Sequence, residues 1–210
     1  MKKLNVILLL TTFLAFTFAQ AQDETEKKES KFSVMAFGGI GYGIMDSDSQ
    51  PNYNVNANSA ELVFNYKLSE KVGLATGGAY TSLTGNAFNY AGNFYHERVL
   101  IKIPLLVTFD CFVADNFKFI AHLGPYAQTI YKDEYTYNSF RVEDVYEGWN
   151  FGFQLGLGFL YKFGDCFSAG LNYSGQSDFS KFETNNGQVL NDEQRLKNLN
   201  TIGLIFILDF

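Results

Sequence analysis

Trp149-Asn-Phe-Gly-Phe-Gln-Leu-Gly-Leu-Gly-Phe-Leu-Tyr-Lys-Phe163 splits cleanly by parity. The odd positions are Trp149, Phe151, Phe153, Leu155, Leu157, Phe159, Tyr161 and Phe163, all apolar and aromatic at both ends. The even positions are Asn150, Gly152, Gln154, Gly156, Gly158, Leu160 and Lys162, mostly small or polar. Successive side chains on a strand point to opposite faces, whereas a helix would mix the two sets. This stretch is therefore a strand with one wholly apolar face.

The same split recurs in seven other segments: 32–44, 58–68, 72–83, 98–110, 117–131, 166–179 and 197–210. The connections alternate in length. Those at 69–71, 111–116 and 164–165 are short, and those at 45–57, 84–97, 132–146 and 180–196 are long and polar. Short turns on one rim and long loops on the other predict an all-β, eight-stranded antiparallel up-and-down transmembrane β-barrel, with turns periplasmic and loops outside. An even strand number puts both termini on the turn side.

A soluble barrel would place its apolar parity inside. Glycine argues for the reverse. Gly39, Gly41, Gly43, Gly73, Gly77, Gly124, Gly152, Gly156, Gly158, Gly170 and Gly203 share the polar parity, and only Gly38, Gly78 and Gly175 fall on the aromatic one. A narrow interior demands small residues, and rings fit better against lipid. Glu61, Lys67, Arg98, Lys102, Lys118 and Lys162 also fall on the polar parity, as expected when a cation on the lipid face costs ~2–4 kcal/mol at the midplane. Tyr42, Tyr80, Tyr131, Trp149 and Tyr173 on the loop side, and Phe109, Phe117, Tyr161, Phe163, Phe167 and Phe210 on the turn side, form two candidate interfacial girdles. Phe206, Leu208 and Phe210 close the last strand and resemble the C-terminal assembly signal of outer-membrane barrels.

The N-terminus reads as a targeting segment. Lys2 and Lys3 precede an apolar run over 4–18, and Ala19-Gln20-Ala21 supplies small residues for cleavage after Ala21. The expected organisation is a signal peptide over 1–21, a charged periplasmic lead-in over 22–31 and the barrel over 32–210. With 22 acidic residues against 16 basic, two of the latter in the leader, nucleic acid is a poor partner.

Ile101-Lys-Ile-Pro-Leu-Leu-Val107 carries Ile103, Pro104, Leu105 and Leu106 inside a strand, a motif that resembles the PorT-like outer-membrane barrels of Bacteroidota. The Ala-Gln-Ala-Gln run at 19–22 looks like the same phylum. The resemblance implies a barrel of the same strand count. It also implies, through the family's named member, a link to a protein-secretion apparatus, but it supplies no site residues. Reflecting strand 98–110 about the 111–116 turn places Pro104 near Leu123 and close to Pro125, which predicts a local break or bulge in that ladder.

The candidate sites are few. Glu61, Lys67, Arg98, Lys102, Asp110, Lys118, His122, Gln154 and Lys162 are expected to form a polar network filling the lumen, since eight strands leave room only for side chains or one small ligand. His122 shares that parity with Ser168 and Ser174, but no nucleophile stands beside it in sequence, and a hydrogen-bonded lumen histidine is the plainer reading. Asp46, Asp48, Asp133, Glu134, Glu143, Asp144 and Glu147 make the outer loops acidic. Asp46-x-Asp48 lacks the further ligands of a Ca²⁺ loop and reads as solvated surface. Tyr135, Tyr137 and Phe140 either anchor a partner or extend the strands. A disulfide between Cys111 and Cys166 is left open. The periplasm permits it, but two strands separate the cysteines and their Cα atoms must approach within about 7 Å.

The expected protein is a non-enzymatic outer-membrane barrel without an open pore or cofactor, structural or partner-binding in role. Its expected partners are outer-membrane lipid, the barrel-assembly machinery and envelope or secretion proteins. The alternatives are a secretion-apparatus component, a lipid-modifying barrel enzyme and a soluble lipocalin-like carrier.

Overall fold

The computed structural model describes residues 31–185 and 192–210. The signal peptide over 1–21, and all but Lys31 of the lead-in, lie outside the described residues. In chain order the strands are β1 (Phe32–Ser47), β2 (Tyr53–Lys67), β3 (Val72–Asn89), β4 (Gly92–Ala114), β5 (Phe117–Tyr137), β6 (Arg141–Glu143), β7 (Tyr146–Glu147), β8 (Trp149–Lys162), β9 (Phe167–Asp178), β10 (Phe182–Thr184) and β11 (Glu193–Asp209). Eight of them pair antiparallel in the order β1-β2-β3-β4-β5-β8-β9-β11, and β11 pairs back to β1 to close the barrel. No helix among the described residues is long and apolar enough to cross a membrane; the strands do the crossing.

The wall is oriented as parity predicts. Leu62, Phe64, Leu105, Phe151, Leu157, Tyr173, Ile202 and Phe206 are exposed on the outside. Phe153 is 39% exposed, whereas Lys102 is 5% and Gln154 1% exposed inside. The inward glycines sit where neighbouring backbone leaves no room for a side chain. A Cβ on inward Gly41, Gly77, Gly124, Gly170 or Gly203 would lie about 2 Å from a neighbouring strand's carbonyl oxygen, while outward Gly38 and Gly78 have nothing within 4 Å. Strong wall curvature converges the inner Cβ positions on neighbouring backbone. Leu157→Arg places a cation on the outer face mid-strand and is expected to cost ~2–4 kcal/mol, measured as a lowered urea midpoint in phosphatidylcholine vesicles; an unchanged midpoint would contradict this orientation.

The lumen is less uniformly polar than parity suggests. Met35, Val63, Ala75, Leu106, Ile120, Leu160, Ile205 and Ile207 form one apolar cluster inside the turn-side half. A second cluster around Met45, Val55, Leu83, Phe94, Leu100, Tyr135, Tyr146, Phe182, Leu196 and Leu199 closes the loop side. The polar side chains occupy the space between and at the rims.

Two expectations need correction. First, much of the predicted loop at 84–97 and the beginning of that at 132–146 is strand. β3 and β4 run on to a turn at 90–91, and β5 continues to Tyr137. Beyond the bilayer the outward face no longer has to be apolar, so the signal fades while the ladder continues. Second, the register shifts in the β4–β5 ladder fall at Val99/Leu100 and Phe112/Ala114; at the prolines the ladder is interrupted without a shift, its pairs passing from Pro104–Tyr126 to Val107–Leu123. Pro104 pairs with Tyr126 rather than Leu123, because the hairpin turn is only Asp115-Asn116. The Pro104 carbonyl accepts from the Thr76 hydroxyl at 2.8 Å. Val99, on the parity opposite Arg98 and so expected to face lipid, is buried at the first shift. At the disulfide left open by the sequence, Cys111 and Cys166 are both free. Cys111 pairs with Phe119 at the end of β4, and Cys166 lies in the β8–β9 turn, with β5 and β8 intervening in the ring.

Candidate functional site

The residues expected to form one lumen network separate into three layers. At the turn-side rim, Lys67 pairs with Asp209 at 3.0 Å and Lys118 with Asp110 at 2.6 Å. Lys162 stands apart from both, 5.7 Å above the Phe112 ring. These charges ring the turn-side mouth.

The middle layer gathers side chains from four strands. Lys102 Nζ lies 3.0 Å from Glu61 and donates to Gln154 Oε1 at 2.5 Å and to Gln176 Oε1 at 2.8 Å. Gln154 Nε2 returns a bond to Glu61 at 3.2 Å. Inward parity on β2, β4, β8 and β9 places these groups, so the pairing follows from register alone. On the loop side of this layer Asp178 accepts from the Tyr126 hydroxyl at 2.6 Å, Gln128 at 2.9 Å and Asn150 at 3.1 Å. Two cavities adjoin Glu61, each of about 10 Å³, room for roughly one water molecule.

His122 belongs to this layer but not to its hydrogen bonds. Its Nδ1 and the Ser168 Oγ each lack a partner among the described residues. Its ring fills the space that glycine leaves at Gly156, where a Cβ would come 2.0 Å from Nε2. No base–nucleophile pair is assembled there. The expected hydrogen-bonded histidine is thus a packed one.

The upper layer is centred on Arg98, which takes a place that the expected network did not foresee. Arg98 and Asp133 are direct cross-strand partners, both without side-chain exposure, with Nε donating to Oδ1 at 2.8 Å. His96 Nε2 lies 2.9 Å from the same oxygen, and its Nδ1 lies 2.8 Å from the Tyr53 hydroxyl. A neutral imidazole protonated on Nε2 satisfies both contacts. The Tyr146 amide donates to Asp133 Oδ2 at 3.2 Å. The guanidinium also lies between Tyr146 and Phe182, 5.1 and 5.9 Å from their ring centres. Those rings come from β7 and β10, which pair with each other and then with β11 over the mouth. One buried ion pair therefore fastens two loops onto the barrel. Burial alone would raise the Asp133 pKa, but the Arg98 charge, with bonds from His96 and Arg98, brings it down to about 2. His96–Asp133 has the contacts of a catalytic dyad but is sealed from solvent, so it works as a strut.

The sequence places Asp133 in an acidic outer loop, whereas in the fold it is buried. A β5 bulge at Tyr131 inverts the inward parity, so that Asp133 and Tyr135 turn inside. Tyr135 and Tyr137 accordingly extend the strand. Asp46 and Asp48 are also engaged. Asp46 meets Arg195 at 2.8 Å and Lys197 at 2.7 Å, and Asp48 pairs with Lys181. The Lys197 hydrogen bond leads the effects that hold the Asp46 carboxyl below its usual range. Among the described residues no group of histidine, cysteine or carboxylate side chains is arranged to hold a metal. The sequence pattern singles out none of His96, Asp178 and Tyr126. An unbroken period of two would have flagged Tyr126 and Asp178, which share parity with Gln128 and Gln176.

A family profile described as the outer membrane protein beta-barrel domain matches residues 18–180. Among solved structures, OprG from Pseudomonas aeruginosa superposes with a TM-score of 0.59 at 12% identity, over 89% of this chain and 99% of that one. Neisserial surface protein A gives 0.52 at 11% identity, over 86% and 98%. The outer membrane protease OmpT from Escherichia coli gives 0.50 at 8% identity, over 90% and 99%. At such identities the likeness concerns the fold. No curated protein sequence matches the chain.

Proposed function

The chain belongs to the outer membrane protein beta-barrel domain family and is an outer-membrane protein, and from that premise we propose that it is a closed, non-enzymatic barrel with a structural or partner-binding role. The observation that carries this reading is the filled lumen. Two apolar clusters close the lumen on either side of the Glu61–Lys102 layer, and an ion-paired cap closes the outer mouth. A hydrated ion cannot cross such layers without their repacking. In planar bilayers the purified protein is expected to produce no large, stable conductance steps; such steps would overturn the closed-barrel reading.

Two finer assignments accompany it. Residues 1–21 are a cleaved signal peptide, and Phe206, Leu208 and Phe210 on the terminal strand present an outward apolar row to the barrel-assembly machinery. The strand motif at Ile103-Pro104-Leu105-Leu106 favours the PorT-like barrels of Bacteroidota and, as a second reading, a component of a protein-secretion apparatus. Co-purification with secretion proteins from native membranes supports that second reading, and normal secretion in a deletion strain counts against it.

A further inference from the structure

The β3–β4 hairpin continues the barrel wall well past the membrane. Its outward face lies on the same parity as Tyr80 and Ile101, which are exposed on the lipid side. Phe88 is eight residues beyond Tyr80 on β3. At a rise of ~3.4 Å per residue and a tilt of ~40°, that places it about 20 Å higher along the barrel axis. The polar interface of a bilayer is only about 5–8 Å deep on each side. These rings therefore stand too high to be an interfacial girdle.

The composition of this face alternates ring and amide. Phe88 is the cross-strand partner of Asn93, and Asn86 is the partner of Tyr95, so all four point the same way. Phe88 is 62%, Tyr95 43% and the adjacent turn residue Tyr90 76% exposed. None of the three belongs to the apolar cluster beneath, which the hairpin supplies through inward-facing Phe94. The platform is held in place from behind. Asn89 Nδ2 donates to the Tyr137 hydroxyl at 2.9 Å and to Gln50 at 3.1 Å, and its Oδ1 accepts from the Ala91 amide.

Charge narrows the choice of occupant. The cations on the adjoining strands are already neutralised. Lys132 lies 2.8 Å from Glu97 and 3.0 Å from Glu134, and Arg141 lies 2.7 Å from Glu134 and 2.6 Å from Glu143. The hairpin carries no surplus cation to attract phosphate. Flat rings cover the apolar C–H faces of sugars, and carboxamides both donate to and accept from hydroxyls. The layer immediately above the lipid of an outer membrane is the saccharide of its outer-leaflet glycolipid, and this face is continuous with the wall that meets that lipid. We infer that the outward face of the β3–β4 hairpin, at Asn86, Phe88, Tyr90, Asn93 and Tyr95, is a docking surface for the uncharged saccharide of the surrounding outer-leaflet glycolipid. This deepens the partner-binding reading and rests on it.

The test uses the barrel in phosphatidylcholine nanodiscs, titrated with the neutral hexose portion of the core oligosaccharide of lipopolysaccharide, free of phosphate and of acidic sugars. Saturable amide shifts confined to residues 84–97 are expected. The double variant Phe88→Ala/Tyr95→Ala should weaken the interaction at least tenfold while keeping the heat-resistant band of the folded barrel. Absence of saturable shifts in the wild type, equal binding by the variant, or binding only by the phosphorylated oligosaccharide each overturns the inference. None of these results bears on conductance, so failure here is distinct from failure of the closed-barrel reading.

Discussion

Replacing Arg98 with alanine, or Asp133 with alanine, is expected to release the loop-side cap and destabilise the protein by about 3–5 kcal/mol, the usual consequence of leaving one member of a buried ion pair without its partner. Asp133 stripped of Arg98 stays buried with only His96 and the Tyr146 amide to solvate it, and Arg98 stripped of Asp133 retains a hydrogen bond to Tyr135 at 3.3 Å. The loss should appear as faster amide exchange over 84–97 and 132–147. It should also change the emission of Trp149, the only tryptophan, which sits at the loop-side rim. The double replacement Arg98→Met/Asp133→Leu removes both charges and should recover most of what either single change loses. A double variant no better than the singles would mean that the cap is held by the surrounding rings rather than by the charges.

The same pair carries a pH dependence of fixed sign. The Asp133 pKa is about 2 in the fold, against roughly 3.9 for a free aspartate. A carboxyl whose pKa is depressed by folding stabilises fully above its unfolded value and loses that stabilisation as pH falls through the folded one. Cap protection should therefore decline between about pH 4 and pH 2. In Asp133→Asn this part of the decline should be absent, with protection already low at neutral pH. A wild type and variant that decline in parallel would assign the acid sensitivity to other groups.

Gly203→Val is expected to prevent barrel closure. Gly203 is paired with Gly39 across the β1–β11 seam, and a Cβ there would lie 1.9 Å from the Gly38 carbonyl oxygen and 2.4 Å from the Gly39 Cα. Overpacking usually costs about 1–3 kcal/mol because side chains can shift. Here the obstacle is backbone held in a ladder, so the cost should exceed that range. On refolding into vesicles the heat-resistant species should fall at least tenfold. Gly38→Val is the matched control. It lies one residue from Gly39, on the outward face, with nothing within 4 Å, and should fold as the wild type does. Equal folding of the two variants would contradict the assignment of faces at the seam.

The two expected results differ in how far each could be foreseen. The Gly203 result follows from parity, since glycine recurs on the charged face of nearly every strand. The Arg98 result does not. Parity places Arg98 inside, but its partner falls in a stretch that reads as acidic outer loop, because the β5 bulge at Tyr131 exchanges the faces two residues before Asp133. A similar displacement occurs on β11, where Asn198 adopts φ 49° and the register with β1 shifts between Tyr42 and Ile44. A bulge changes which face a residue occupies without altering the local composition, so period counting passes over it.

Amino-acid order by itself determined the barrel, its strand number, its inside and outside, and the burial of Glu61, Lys102 and Gln154. Hydrocarbon and lumen impose opposite requirements on alternate residues, and that conflict is written directly into the chain. Tertiary structure alone decided how the buried charges pair, where the apolar layers lie within the lumen, and how β7 and β10 close the mouth over Arg98. Those features depend on the register between segments far apart in sequence and on cap residues that face water or protein on either side, where no alternation is imposed.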